Sequence, residues 1–307
     1  MYEELARNKR RSALLIAGAI GFALGIGYLF GVLLGGQGNA TVFGLGGLGI
    51  AGVIAIIMSM ISYFSGDKIV LKLSHARAVT HEQEPRLHNL VEGLVIAAGI
   101  PKPKVYVVED TAPNAFATGR DPEHASMAVT RGLLDKMNRV ELEGVIAHEL
   151  AHIKNRDTLV MVIVATLVGV AVLLADWSLR ALFWGAGGGR RGSREGGAGV
   201  FFVIFGVIAL ILTPILAQII KFSVSRRREF FADVTGVQMT RYPPGLISAL
   251  QKLKEDQTSV RYATHATSHM WIEEPLEQEH GKAAVRLNRL FSTHPPLDER
   301  IRVLREL

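Results

Sequence analysis

The chain has 307 residues, of which 49% are hydrophobic, and 34 Lys and Arg outweigh 28 Asp and Glu to give a net charge of +6. It has no cysteine, which excludes a disulfide framework and any metal site built on thiolates. Many of its basic residues flank apolar segments, so the positive charge suits anionic lipid headgroups better than a nucleic-acid partner, which we do not expect.

The first apolar region contains no Asp, Glu, Lys or Arg from Ser12 to Gly66. It is far longer than the roughly 20 residues that one bilayer crossing needs. The glycine-rich stretch 35–41 divides it into two spans, near 13–34 and 42–64. We therefore predict that an N-terminal transmembrane hairpin fills residues 1–66. A cleaved signal peptide is the competing interpretation, but it would be shorter and would not precede a second span.

Glycines at four-residue spacing, such as Gly27 and Gly31, predict close packing of the hairpin helices. Basic residues lie at both ends of the hairpin: Arg7, Lys9, Arg10 and Arg11 before it, and Lys68, Lys72 and Arg77 after it. Because positive charge favours the cytoplasmic side, both ends and the segment 67–157 that follows are predicted to lie in the cytoplasm.

After the hairpin, apolar residues at helical spacing predict a helix over residues 83–99. Three short β-branched or alternating runs then predict strands at 105–108, 115–118 and 127–130.

The most informative motif is H-E-x-x-H, formed by His148, Glu149 and His152. Asn138 and Glu141 predict a capping box at the start of its helix. Two histidines at positions i and i+4 lie on one helix face and can bind one metal ion, and the glutamate beside them can act as a general base. The alternative is an ordinary amphipathic helix that contains histidines by accident. Its buried stripe is predicted to be Val145, Ile146, Leu150 and Ile153.

Two further apolar stretches, 158–175 and 196–220, predict a second pair of membrane segments within residues 158–221. The linker between them, 185–195, is glycine-rich and basic. If both stretches cross the bilayer, the linker lies outside, against the positive-inside rule. Either two crossings or a shallow re-entrant pair would return the chain to the side of the histidine motif, and we favour two crossings.

A catalytic zinc site usually has three protein ligands, so the two histidines are incomplete. In the last segment, 222–307, Glu229 and Asp233 lie at helical i and i+4 positions. Glu229 could bind metal while Asp233 accepts the outer N–H of a ligand histidine. By itself the segment would suit a solvated, charged helix better, but together with the histidine helix it favours a metal site. His265 and His269 also have ligand spacing, but no acidic base lies between them.

Three motifs in this order resemble the HtpX-type membrane metallopeptidases, which are relatives of the CAAX prenyl proteases: H-E-L-A-H at 148–152, R-R-R-E-F-F-A-D at 226–233 and S-T-H-P-P-L-D-E-R at 292–300. The likeness covers nearly the whole chain. It implies an α+β fold: a multi-span helical membrane protein with a zincin-like, mostly helical catalytic domain and a small sheet beside the metal helix.

The resemblance also implies one zinc ion per chain, with two histidine ligands, a carboxylate ligand, a base and an outer carboxylate: His148, His152, Glu229, Glu149 and Asp233. It implies that Asn114, on a cleft-lining edge strand, and His294 and Arg300 contact the substrate or the oxyanion.

These features predict a zinc endopeptidase of the cell (inner) membrane, multi-pass, with its active site facing the cytoplasm. The resemblance implies that it cleaves misfolded or surplus membrane proteins. One alternative is a dedicated CAAX-type or other processing peptidase. Another is a non-catalytic membrane scaffold that keeps a structural zinc, but such a site has no need of Glu149. The sequence predicts no particular oligomeric state.

Overall fold

The structure is a computed structural model, and it describes residues 2–166, 226–256, 258–264, 267–273 and 295–307. Most of the second predicted pair of membrane segments lies outside these residues, as do His265 and His294. The described part is mostly helical and contains a small mixed sheet. The α+β class is therefore confirmed.

Helix α1 (Tyr2–Leu73) holds the predicted N-terminal hairpin. A side chain added at Gly31 would collide with the backbone of Phe43, and one at Gly27 would collide with Gly47. In a straight helix, residues 31 and 43 would be about 18 Å apart at 1.5 Å per residue. The helical run therefore folds back on itself between them. The close packing predicted from the glycine spacing is confirmed at Gly27 and Gly31.

The second arm of α1 continues without a break into the rest of the protein. Val70 and Leu71, near its end, are buried in an apolar cluster with Phe116 and Trp271. About one helical turn before Val70, Gly66 packs against the side chain of Val162. The apolar hairpin and the region that holds the histidine motif are thus joined through a packed helix end.

In the described part of the chain the sheet has four strands in the order β1-β2-β4-β3. They are β1 (Arg77–Ala78), β2 (Lys104–Val108), β3 (Ala115–Gly119) and β4 (Ala125–Thr130). Strands β2 and β4 are parallel, whereas β1 pairs with β2 and β3 pairs with β4 in antiparallel fashion. The three predicted strands are confirmed, and β1 was not predicted.

Helix α2 (Pro85–Ala98) confirms the helix predicted at 83–99. Pro85 occupies its first turn, where a missing N–H costs nothing. Gly99 ends it with φ 67°, in the left-handed region that glycine adopts without strain. A short helix α3 (Arg131–Lys136) then connects the sheet to the helix of the histidine motif.

Helix α4 (Arg139–Lys154) carries the histidine motif and lies at the centre of the fold. Its capping box is present: the Asn138 side chain accepts from the backbone N–H of Glu141, whose carboxylate accepts from the backbone N–H of Asn138. The predicted stripe, Val145, Ile146, Leu150 and Ile153, is completely buried.

Three later helices complete the described fold: α5 (Arg226–Thr240), α6 (Pro243–Glu255) and α7 (Leu297–Leu304). Helix α4 packs against α2, α5, α6 and β3. The capping residue Glu141 also accepts hydrogen bonds from Ser248 and Lys252 of α6, at 2.6 and 2.7 Å. The helix of the motif is therefore fixed on several sides.

Candidate active site

The two histidines of the motif lie one turn apart on α4 with their rings directed to the same point. Their Nε2 atoms are 3.2 Å apart, and both side chains are buried. The capped N-terminus and the apolar stripe explain this arrangement, since they fix both the start of α4 and the face that it presents to the interior.

Helix α5 brings Glu229 to the same point. Its Oε2 atom lies 3.7 Å from Nε2 of His148, and its Oε1 atom lies 3.6 Å from Nε2 of His152. The two Nε2 atoms lie 3.2 Å apart, and each faces a different oxygen of the Glu229 carboxylate. Zinc–nitrogen and zinc–carboxylate bonds are about 2.0–2.2 Å. Two atoms bound to one zinc ion at this length lie no more than about 4.4 Å apart, and all three separations are within this limit.

Gly236 allows α5 to approach α4 this closely. A Cβ atom at this position would lie 3.0 Å from the backbone nitrogen of His148 and 3.2 Å from the carbonyl carbon of Ala147. Because both neighbours are backbone atoms, they cannot move aside as a flexible side chain would. Sequence reasoning did not single out Gly236, and only the crossing of the two helices gives it importance.

Each histidine of the motif is held by a carboxylate on its outer side. Nδ1 of His148 lies 2.9 Å from Asp233 Oδ1, and Nδ1 of His152 lies 3.2 Å from Asp157 Oδ2. Donation of the Nδ1 proton to a carboxylate leaves the Nε2 lone pair available to a metal ion. The contact of Asp233 is the one that the spacing on α5 suggested, whereas Asp157 was missed.

Each outer carboxylate lies beside a buried arginine. Arg300 donates to both oxygens of Asp233, at 2.9 and 2.7 Å, and to the backbone oxygen of Ile272 at 3.2 Å. Nε of Arg228 lies 3.6 Å from Asp157 Oδ1. Arg300 is fully buried and engaged with Asp233, so these contacts fit a residue that orients the site. Its predicted contact with the substrate or the oxyanion stays a prediction.

The charge of the site favours a divalent cation. Among the described residues, it contains four buried carboxylates and two buried guanidinium groups: Glu149, Asp157, Glu229 and Asp233, with Arg228 and Arg300. With neutral histidines, two negative charges remain in excess. An uncompensated charge in the interior is costly, and one dication would balance this excess.

Burial and the surrounding charges shift the pKa of two groups in the site. Burial and the charge of Arg300 lower the pKa of His148, but Asp233 and Glu229 outweigh them and raise it to about 9. Burial raises the pKa of Glu149 above its ordinary value and outweighs the charges of His148 and His152, which lower it. The shift of His148 means that the carboxylates around it attract positive charge, whereas the shift of Glu149 reflects the cost of burying its charged form. A raised pKa also suits a carboxylate that must accept and later release a proton.

The other predicted site residues have different surroundings. Asn114 accepts from the backbone N–H of Ala115 and donates to the backbone oxygen of Glu273 at 3.1 Å, so its side chain holds two segments together. His294 lies outside the described residues. Nε2 of His269 lies 3.1 Å from the backbone oxygen of Met161, and His269 does not belong to the group of His148, His152 and Glu229.

A second group of potential ligands, His81, His88 and Glu92, lies on and before α2. Here the ammonium group of Lys102 lies 2.9 Å from His88 Nδ1 and 2.6 Å from Glu92 Oε1. The ammonium group of Lys102 thus supplies positive charge to both the histidine and the carboxylate, as a metal ion would. We interpret this group as an ion-pair cluster.

A buried helix with the H-E-x-x-H motif, completed by a glutamate from a second helix, defines a metalloprotease. The sequence profile of Peptidase family M48 matches residues 81–307. The chain belongs to this family.

Relatives that align over almost the whole chain are also named as proteases. The chain is 41% identical over 307 residues to "Protease HtpX homolog" of Thermoanaerobacter pseudethanolicus, covering 100% of this chain and 98% of the relative. It is 44% identical over 302 residues to the protein of the same name from Pyrococcus furiosus, covering 97% and 95%. The resemblance to HtpX-type peptidases is confirmed, and the chain is a metalloprotease.

The fold also resembles the crystal structure of S. mikatae Ste24p, with a TM-score of 0.51 and 18% identity. The match covers 98% of this chain but 66% of the Ste24p chain, slightly under two thirds of its length. At this identity the likeness supports the fold alone.

Proposed function

We propose that the chain is a zinc endopeptidase in which His148, His152 and Glu229 bind one zinc ion and Glu149 is the general base. One observation carries this proposal: ligand atoms of His148, His152 and Glu229 lie 3.2, 3.6 and 3.7 Å apart, inside a buried site that is rich in carboxylates. A structural zinc would need the same ligands but would not need Glu149.

A zinc ion bound there would polarise the scissile carbonyl and lower the pKa of water towards about 7. Glu149 takes the proton that the attacking water loses, and then passes it to the amine nitrogen as the C–N bond breaks. Asp233 and Arg300 keep His148 in the required tautomer and orientation throughout. The buried surroundings keep these electrostatic interactions strong.

We further propose that the protein is a multi-pass protein of the cell membrane with its active site on the cytoplasmic side. Gly38–Leu73 is the one helix in the described residues that is long and apolar enough to cross a bilayer. Its large apolar side chains are widely exposed, including Ile50, Val53, Ile54, Ile57 and Phe64. Such a surface is expected against lipid. Lys68, Lys72 and Arg77 lie at the end of the span that we place in the cytoplasm, in agreement with the positive-inside rule.

The substrate class that we propose is misfolded or surplus membrane proteins, which makes the activity a form of quality control. Two features support it: the apolar hairpin next to the catalytic region, and full-length relatives that are named as HtpX-type proteases. A dedicated processing peptidase would use the same chemistry, so only the range of cleaved substrates distinguishes the two.

The test uses purified full-length protein, a membrane-protein substrate, and assays with and without a chelator. Glu149→Gln should retain metal but lose roughly 10²–10⁴-fold in activity, because only the proton acceptor is removed. The matched control is Glu143→Gln, which changes a partly exposed glutamate of the same helix and should leave activity unchanged. Activity of Glu149→Gln within about tenfold of the unmodified protein would contradict the assigned role.

A further inference from the structure

Asp157 reaches His152 through a tight turn at the end of α4. The backbone N–H of Asn155 donates to Ala151, and that of Asp157 donates to the oxygen of His152 at 3.0 Å. Between them, Arg156 has φ 57°, a left-handed conformation that residues with side chains rarely adopt. The turn places the Asp157 carboxylate beside Nδ1 of His152.

The two oxygens of Asp157 have different neighbours. Oδ2 lies 3.2 Å from His152 Nδ1, and Oδ1 lies 3.6 Å from Nε of Arg228. All three side chains are almost completely buried. Arg228 immediately precedes Glu229, so the start of α5 supplies both a ligand carboxylate and the cation beside Asp157.

The arrangement repeats on the other histidine. His148 donates to Asp233, which accepts two hydrogen bonds from Arg300. In both cases a buried arginine is paired with a carboxylate, and the carboxylate accepts the outer N–H of a histidine. Since the two carboxylates come from different segments, the repetition reflects a shared chemical requirement and not a repeated sequence.

We propose that Asp157, paired with Arg228, is a positioning residue for His152; this inference rests on the proposed zinc site. By accepting the Nδ1 proton, Asp157 fixes the tautomer whose Nε2 lone pair faces the metal and increases the basicity of the ring. Arg228 keeps the carboxylate in place and ties the end of α4 to the start of α5.

The experiment compares Asp157→Ala and Asp157→Asn in the full-length protein. Zinc affinity is measured by competition with a chromophoric chelator, and the absorption spectrum of the cobalt-substituted protein reports ligand geometry. Asp157→Ala should lower zinc affinity roughly 10–100-fold. Asp157→Asn keeps an acceptor oxygen without the charge, so it should restore part of that loss. The matched control is Asp135→Asn, an exposed aspartate of α3, which should bind zinc normally.

A melting curve of the metal-free variants separates positioning from general stability. A purely structural role would lower the metal-free melting temperature and leave the affinity of the folded protein unchanged. If Asp157→Ala does not fold, Asp157→Asn decides the question, and a loss of affinity between about twofold and tenfold supports the proposal. Affinity within about twofold of the unmodified protein in every variant that folds overturns the proposal.

A His152→Ala variant makes the two proposals distinguishable. If the unmodified protein binds zinc no better than His152→Ala, the ligand assignment itself fails. If the unmodified protein binds zinc tightly and the Asp157 variants match it, only the role of Asp157 fails.

Discussion

At the residue scale, the geometry of each histidine depends on side chains that are not themselves among the three proposed ligands. Asp233 lies behind His148 and Asp157 lies behind His152, and a buried arginine accompanies each carboxylate. Arg300 also lies 3.3 Å from Nδ1 of His148 and 3.7 Å from Oε2 of Glu229. Substitution of Arg300 should therefore affect the metal ligands both through Asp233 and directly. The effect of such a substitution on zinc binding can be measured separately from any direct role of the arginine in the reaction.

Arg300→Lys is the substitution that makes the distinction. Lysine cannot donate to both oxygens of Asp233 in the parallel geometry of a guanidinium group. If Arg300 acts by positioning, zinc affinity and kcat/KM should fall together, roughly 10–100-fold as for other outer contacts. Arg302→Lys is the control, because it changes a largely exposed arginine of the same helix.

Measurements of zinc content and of steady-state kinetics decide between the roles. If Arg300→Lys keeps its zinc while kcat alone falls, the oxyanion contact implied by the family resemblance is the better interpretation. That result would leave Asp233 as the main orienting group of His148.

The sequence supports predictions at some of these positions and not at others, for a physical reason. The shared face of His148 and His152 depends only on helical periodicity, and so does the pairing of Glu229 with Asp233. The contact of Asp157 depends on a turn with positive φ at Arg156, which no local pattern indicated. Partners fixed by a turn or by a distant helix become visible only in three dimensions.

At the element scale, the separation of α4 and α5 determines whether the three ligands can meet. Gly236→Ala would favour helix α5 by up to about 1 kcal/mol in propensity. It would also place a methyl group against the backbone of His148, and such overpacking typically costs about 1–3 kcal/mol. We therefore expect lower stability and weaker zinc binding, measured by thermal unfolding with and without zinc.

Gly93→Ala is the matched control for this prediction. Gly93 lies on the exposed face of α2, and a Cβ atom there would have no neighbour within 4 Å. This variant should gain up to about 1 kcal/mol of stability and bind zinc normally. Equal behaviour of the two alanine variants would show that the approach of α5 to α4 is less restricted than its geometry indicates.

Elements with a strong local pattern were predicted well. The capped helix α4, helix α2 and the three longer strands follow from periodicity and from residues such as Asn138 and Gly99. Strand β1 has only two residues, and its pairing with β2 arises from tertiary structure. Such a short strand carries no alternation that a sequence pattern could reveal.

At the scale of the whole molecule, membrane topology can be tested with single cysteines, because the chain has none of its own. Asn39, between the predicted spans, and Gln83, before α2, are both exposed. In intact cells, an impermeant thiol reagent should label Asn39→Cys from outside and should label Gln83→Cys only after lysis. Ser74 is unsuitable for this purpose because it is completely buried.

External labelling of Gln83→Cys would refute a cytoplasmic active site. A cysteine at Ser193, in the linker outside the described residues, tests the later pair of segments in the same assay. Labelling from outside is expected if residues 158–175 and 196–220 both cross. Protection in intact cells would instead favour a shallow pair that does not reach the outer surface.

The unbroken second arm of α1 has a consequence for which bonds the enzyme can reach. Phe64 is exposed and apolar, whereas Val70 is buried in the protein core. The two are separated by about 9 Å along a helix axis. If the arm crosses the bilayer, this short rigid spacer holds the catalytic region at a nearly constant height above the lipid. Peptide bonds close to the membrane surface then lie within reach, while those far out in the cytoplasm must first be drawn towards it.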